Sequence, residues 1–314
     1  MNQQRCTRTS RNFRVGAASL LLWCLTNSTA SSQELEPRAY SPSPVGVNFL
    51  VAGYTRTTGG VVVDPSLPLS DVDAEIDTGI IGYGHTFGIL DRAASAAVLI
   101  PYVQGDVAGN VGENRRAVSR SGLGDVRLRL SVNLLGGEAL TPAEFAARKP
   151  RTTLGASLVV GAPVGQYDSS KLINLGANRW AFKSELGVSH PVGRWSLDAY
   201  AGIWLFTDND NYFGGARREQ DPIETYQAHV SYTFRPRLWL AADATYYRGG
   251  RTTVNGEEGA TLLSNSRVGL TLSIPIGAKQ SLKLAWSDGA TTRIGSDFTN
   301  YSVAWQYTWF DRQR

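Results

Sequence analysis

Polar and apolar residues alternate with a period of two along most of the chain. In the last such run Tyr301, Val303, Trp305, Tyr307 and Trp309 interleave with Ser302, Ala304, Gln306 and Thr308. Val126, Leu128, Leu130, Val132 and Leu134 interleave in the same way with Arg127, Arg129, Ser131 and Asn133. Successive side chains of a strand point to opposite faces, so this period marks strands. The pattern predicts twelve of them, at 46–56, 72–86, 92–105, 122–135, 151–163, 178–190, 193–206, 222–234, 237–248, 264–275, 279–287 and 298–310. The first, third and fifth are apolar on both faces, which leaves their registers open. Only Pro142 to Arg148 shows a helical spacing.

The links between these strands differ by side. Those at 57–71, 106–121, 164–177, 207–221, 249–263 and 288–297 are long. Those at 87–91, Pro191-Val192, Arg235-Pro236 and 276–278 are short, and 136–150 is the exception. An even strand count, long loops on one rim and short turns on the other predict an all-β fold, a single antiparallel up-and-down transmembrane β-barrel. A strand of about 11 residues, tilted about 40°, rises about 28 Å, enough for the apolar band. The apolar parity then faces outer-membrane lipid and the charged parity faces the lumen. Trp180, Tyr226, Tyr246, Trp286 and Tyr301 fall near the long-loop ends, and Trp195, Phe234, Trp239 and Trp309 near the short-turn ends, as interfacial girdles require. A secreted β-sandwich would show the same alternation. The two aromatic rows and the loop rhythm favour the membrane.

Composition sharpens this reading. The net charge of +4 comes from Arg5, Arg8, Arg11 and Arg14, and no acid lies in the first thirty residues. Those residues continue into an apolar run, Val15 to Leu25, and end on Ser28-Thr29-Ala30, the layout of a cleaved secretory signal peptide. Residues 31–314 would then form one barrel domain, with charges of both signs in balance and no basic tail for nucleic acid. Both cysteines, Cys6 and Cys24, lie in the leader, so the remainder has no thiol chemistry. No later segment is long and apolar enough for a transmembrane helix.

Several stretches carry a family likeness. They are Glu34 to Tyr40, Pro44 to Phe49, Gly122-Leu123-Gly124-Asp125, Leu172 to Trp180, Asp208 to Gly215 and Arg218 to Pro222. With them the chain resembles the outer-membrane transporters of the phenol-degradation meta-pathway family, over nearly all of residues 34 to 310. The resemblance implies an exported barrel associated with uptake of small, often aromatic, compounds. It supplies no binding residues to carry over. One departure is the tail Asp311-Arg312-Gln313-Arg314, because outer-membrane strands usually end on an aromatic residue.

The candidate solute path is the charged parity. It comprises Asp125, Arg127 and Arg129 on the fourth strand, Lys183 and Glu185 on the sixth, and Asp198, His229, Asp243, Arg267 and Lys283 on later ones. Asp73, Glu75 and Asp77 are expected to join them from the second strand. Charged arrays of this kind either line a wet pore or pair across a narrow one. Tyr200, Trp204 and Phe206 share the inward parity, where they either stack a flat solute or fill space. His229 and Ser231 have the spacing of a base and nucleophile on one strand face, the signature of a barrel hydrolase. Their parity turns them inward, away from lipid. Asp208-Asn209-Asp210-Asn211 begins like a calcium loop, but Tyr212 and Phe213 break its centre. No cofactor motif or metal cluster is expected. The sequence therefore points to passive passage of a small-molecule solute, with a barrel hydrolase and a closed structural barrel as the competing readings.

Overall fold

A computed structural model describes residues 35–62, 69–111, 114–171 and 173–312. The expected leader, residues 1–30, lies outside them. In chain order the first strands are β1 (Val47–Val62), β2 (Leu69–Ile89), β3 (Arg92–Val111), β4 (Asn114–Leu123) and β5 (Val126–Leu135). A short helix α1 (Pro142–Ala147) precedes β6 (Thr153–Ala162), β7 (Ala181–Val192) and β8 (Trp195–Phe206). Next come β9 (Asn209–Tyr212), β10 (Ala216–Gln220), β11 (Ile223–Arg235) and β12 (Leu238–Gly249). The chain ends with β13 (Thr252–Val254), β14 (Glu257–Glu258), β15 (Leu263–Pro275), β16 (Gln280–Thr291) and β17 (Gly295–Phe310).

Antiparallel pairing runs from β3 through β5, β6, β7, β8, β11, β12, β15, β16, β17 and β1 to β2, which pairs back onto β3. The sheet closes, so around the barrel each stave is paired on both sides. β4 and β5 both pair with β3 and form one stave, broken at Gly124-Asp125. The barrel therefore has twelve staves, as the alternation predicts. β9, β10, β13 and β14 make a separate small sheet over the long-loop rim, called here the upper rim.

Strand lengths depart from expectation on one side. β2 and β3 have 21 and 20 residues, whereas β6 has ten. At the usual rise and tilt, β2 climbs about 55 Å and β6 about 26 Å. Most of the expected loops 57–71, 106–121 and 288–297 are thus strand, and β1 to β4 rise as a ribbon beyond the apolar band. This corrects one assignment. Asp73, Glu75 and Asp77 share the outward parity of exposed Ile81 and Tyr83, while Val72 and Ala74 face inward and are buried. Charges can lie on the outer face there because, above the band, that face meets water. Arg56 pairs outside with Glu75 at 2.5 Å and with Asp77 at 2.6 Å.

Within the band the outer face is apolar. Leu128, Leu130, Leu158, Leu186, Leu197, Leu240, Leu270 and Leu284 all stand exposed on it. A continuous belt of this kind is unfavourable in water at about 25 cal/mol per Å² and is the surface a bilayer covers. Tyr226, Tyr246 and Tyr301 stand exposed near its upper edge, and Trp195 and Phe234 near its lower edge. Trp239 leaves the expected girdle: it faces inward beneath the Arg38 guanidinium, 4.9 Å from the ring centre. The tail after Phe310 is tied down, since Asp311 accepts from Asn48 Nδ2 at 2.7 Å and donates its N–H to Gly46 O at 2.8 Å.

The interior is not an empty tube. The segment before β1 leaves the lower rim, where Gly46 N–H donates to Thr86 O and Val45 N–H to Leu140 O. It rises to Leu35, whose side chain lies over Gly269 of β15 at mid-height.

Candidate functional site

The lumen is built from the inward parity of the staves and from residues 35–46. Two tight turns compact this segment, closed by Ala39 N–H to Glu36 O and Ser41 N–H to Arg38 O. Arg38 adopts a positive φ of 65°, and its side chain reaches Ser231 Oγ at 2.8 Å and Thr233 Oγ1 at 2.7 Å. Glu36 holds Arg129 in a salt bridge. Tyr40, 1% exposed, lies on Gly155 and Gly187, which are directly paired across β6 and β7. A methyl on Gly187 would stand 2.1 Å from the Tyr40 ring, so only glycine admits it. The Tyr200 ring meets Tyr40 edge-on at 5.0 Å, and its hydroxyl accepts the Ala39 N–H at 3.1 Å.

Beside the Tyr40 ring lies the charged wall. Tyr40 OH donates to Glu185 Oε1 at 2.9 Å and lies 2.8 Å from Ser157 Oγ. Glu185 Oε2 meets Lys183 Nζ at 2.6 Å and accepts from Gln227 Nε2 at 3.0 Å. Buried charges survive only when paired and hydrogen-bonded, and this carboxylate has partners on both oxygens. Lys183 and Glu185 were read from the sequence as neighbours on one face, and they form the pair.

The next row is His229, flanked in register by Asp198 on β8 and Asp243 on β12. His229 Nδ1 donates to Asp243 Oδ1 at 2.7 Å, and Thr271 donates to the other oxygen at 2.7 Å. Asp198 accepts from Ser189 and Ser196. Ser231 shares the inward face with His229, as its spacing requires. His229 Nε2 nevertheless makes no hydrogen bond among the described residues, and Ser231 Oγ is taken by Arg38. The base and nucleophile are adjacent but not joined.

Towards the upper rim the lumen turns aromatic. Trp204 packs with Ile223, Tyr247 and Leu263 in a buried cluster, so it fills the barrel and presents no open face. Arg267, also buried, donates to Phe298 O at 2.6 Å and to Ser287 Oγ at 3.3 Å. Lys283 points inward and stays exposed, within electrostatic range of Glu36. Arg127 points inward and is half-buried.

Asp125 is not on this path. It sits in the break between β4 and β5 and accepts Gly165 N–H at 2.9 Å and Ala177 N–H at 2.8 Å. Loop 163–180 is thereby latched over the outer edge of β4, which pairs with β3 alone. The latch gives physical content to the Gly122–Asp125 and Leu172–Trp180 stretches. Asn209 joins the next loop to it, donating to Tyr167 OH at 3.0 Å and to Ala177 O at 3.2 Å.

Sequence reasoning missed the roles of Glu36, Arg38 and Tyr40. Their signal was present only as position: all three lie inside the Glu34 to Tyr40 stretch that carries the family likeness, and they precede the first strand.

A closed barrel with an apolar outer belt, aromatic edges and a charged interior defines an outer-membrane barrel with the fold of a channel. The family model described as "Putative MetA-pathway of phenol degradation" matches residues 53–305, and the chain belongs to that family. The COG4313 outer membrane channel from Pseudomonas putida F1 superposes with a TM-score of 0.77 at 23% identity, over 88% of this chain and 100% of that one. The transport unit of the autotransporter AIDA-I from Escherichia coli superposes at 0.53 with 10% identity, over 95% of this chain and 99% of that one. The translocator domain of autotransporter NalP from Neisseria meningitidis gives 0.51 at 13%, over 90% and 93%. No curated protein matches the chain.

Proposed function

We propose that this barrel is a passive outer-membrane channel for small solutes, aromatic ones among them, whose charged lumen is closed at rest by residues 35–46. The observation that carries this reading is the seating of the segment. It is held by an exchangeable set of side-chain contacts, Glu36 to Arg129, Arg38 to Ser231 and Thr233, and Tyr40 to Glu185. Such contacts individually contribute about 1–3 kcal/mol, within reach of thermal opening or of displacement by a solute. The phenol-degradation description of the family supports aromatic compounds as the solute class.

The test is single-channel conductance in planar bilayers, comparing the barrel with a variant lacking residues 35–43. The expected result is a small or intermittent current that rises about tenfold on deletion, as a blocked lumen becomes a wet one. Equal currents from the two folded proteins would overturn the plug. Absence of current from both would leave the closed structural barrel.

The hydrolase reading is tested separately by Ser231→Ala. Its support is limited to the shared face of His229 and Ser231, and the Arg38 contact stands against it. Lipid or ester hydrolysis that vanishes in this variant would establish it.

A further inference from the structure

The lower rim divides into two halves of different charge. On one half, segments 87–92 and 136–151, four cations stand beside Asp91, Glu138 and Glu144. Glu138 pairs there with Arg92 at 3.6 Å and with Arg151, and Glu144 caps the first turn of α1. The other half is an arc of three neighbouring short turns, β7–β8, β11–β12 and β15–β16. It carries Arg194, Arg235, Arg237 and Lys279, and residues 191–197, 232–241 and 273–283 contain no acid. All four cations are exposed, and among the described residues none of them is in a salt bridge. The acids farther along these staves, Asp198 and Asp243, are buried on the lumen side.

Hydrogen bonds hold the three turns together as one surface. Thr233 N–H donates to Arg194 O at 2.8 Å and joins the first turn to the second. The Arg237 guanidinium crosses to the third, donating to Gly277 O at 2.9 Å, Ala278 O at 2.7 Å and Gln280 O. These acceptors are neutral, so they fix the group in place without cancelling its charge. The apolar belt ends directly above. Val192, Trp195, Phe234 and Ile276 are exposed along the same arc. Trp195 meets Tyr232 edge-on at 4.9 Å, and Tyr232 meets Phe234 at 5.0 Å. Arg194 and Arg235 are the chain neighbours of Trp195 and Phe234, which sets the cations about 3 Å below the aromatic edge. That is the depth order of a phospholipid, with acyl chains on the belt, glycerol at the rings and phosphate below.

We propose that this arc is a binding site for an anionic phospholipid of the periplasmic leaflet, its phosphate held by Arg194, Arg235, Arg237 and Lys279. The short turns of an outer-membrane barrel face the periplasm, so this rim meets that leaflet. An acidic protein segment matches the charge alone, whereas an acyl chain also covers Val192, Trp195, Phe234 and Ile276 above it. An anionic headgroup gains about fivefold in affinity from each basic residue near it. A zwitterionic headgroup brings its own cation and gains less. The site is on the outside of the wall, so it stands or falls apart from what the lumen admits.

The experiment is native mass spectrometry of the full-chain barrel, extracted from membranes in detergent. It is titrated with phosphatidylglycerol or with phosphatidylcholine of the same acyl chains. Phosphatidylglycerol is expected to bind about tenfold or more tightly, and the preference to fall as salt is raised. Arg194→Gln/Arg235→Gln/Lys279→Gln is expected to weaken phosphatidylglycerol binding about tenfold or more and to leave phosphatidylcholine unchanged. Arg151→Gln, on the other half of the rim, is expected to change neither. Heat-modifiable migration on gels shows which variants are folded barrels, and Arg235→Gln alone serves if the triple variant is not. Equal binding of the two lipids to the unmodified barrel would overturn the proposal and leave the arc to an acidic protein. A preference kept by the folded triple variant, or lost equally in Arg151→Gln, would also overturn it. So would a preference that salt does not change, because charge would then not be its source.

Discussion

Inside the lumen Lys183 meets Glu185 at 2.6 Å and Arg129 meets Glu36, with Tyr40 and Gln227 completing the carboxylate's partners. At the mouth above, Arg179, equally buried, rests on a phenyl ring and one glutamine, and its Nη1 has no hydrogen-bond partner among the described residues. The two regions sit in one barrel and use the same residue types. Their difference teaches that the lumen is organised around a resident occupant, the N-terminal segment, which supplies Glu36 and Tyr40 from within the chain. Arg179 is held by ring stacking and a neutral amide instead. Buried charge is costly unless it is paired, so the contrast is energetic and not only descriptive.

Three substitutions probe this contrast. Glu185→Gln removes the charge that serves Lys183, Tyr40 and Gln227 together, and the expected loss is about 3 kcal/mol in urea unfolding of the barrel. A loss near zero would mean that the lumen is wet enough to screen the pair, and the contrast would collapse. Gly187→Ala leaves every lumen charge in place but drives a methyl into the Tyr40 ring. It is expected to cost about 2 kcal/mol by overpacking and to raise conductance, though less than removal of the whole segment. Unchanged conductance would show that Tyr40 is not what seats the plug. Asp125→Ala frees two loop N–H groups at the mouth and is expected to cost about 1 kcal/mol. Limited proteolysis within 163–180 should quicken while conductance stays the same. A change in conductance instead would place Asp125 on the solute path.

The wall was largely legible from alternation. Twelve staves, their order and the outward leucines follow from a period of two, because a strand buried on one face must repeat every second residue. The lengths were less legible. β2 and β3 run on past 72 and 105 because, above the bilayer, the ribbon needs no apolar face, and Asp106 with the rest of 106–121 read as loop. The same freedom reversed the facing of Asp73, Glu75 and Asp77. Parity correctly turned Lys183, Glu185, Asp198, His229 and Asp243 inward, yet it could not say what would meet them. Asp125 had the right parity and a different task, since the stave breaks at that point. Trp239 fell at the right height for a girdle but has the inward parity of Ala241 and Asp243.

By itself the amino-acid sequence determined the class of fold: an alternating chain with an apolar parity on nearly every stave can satisfy its backbone in a bilayer only as a closed barrel. Tertiary structure alone decided what fills that barrel. Glu36, Arg38 and Tyr40 find partners 93 to 195 residues away in the chain, across at least four staves. The pairing of Gly155 with Gly187 that makes room for the Tyr40 ring exists only once β6 and β7 are in register. Periodicity is a local property of each strand, whereas the contents of a lumen depend on which faces closure brings together.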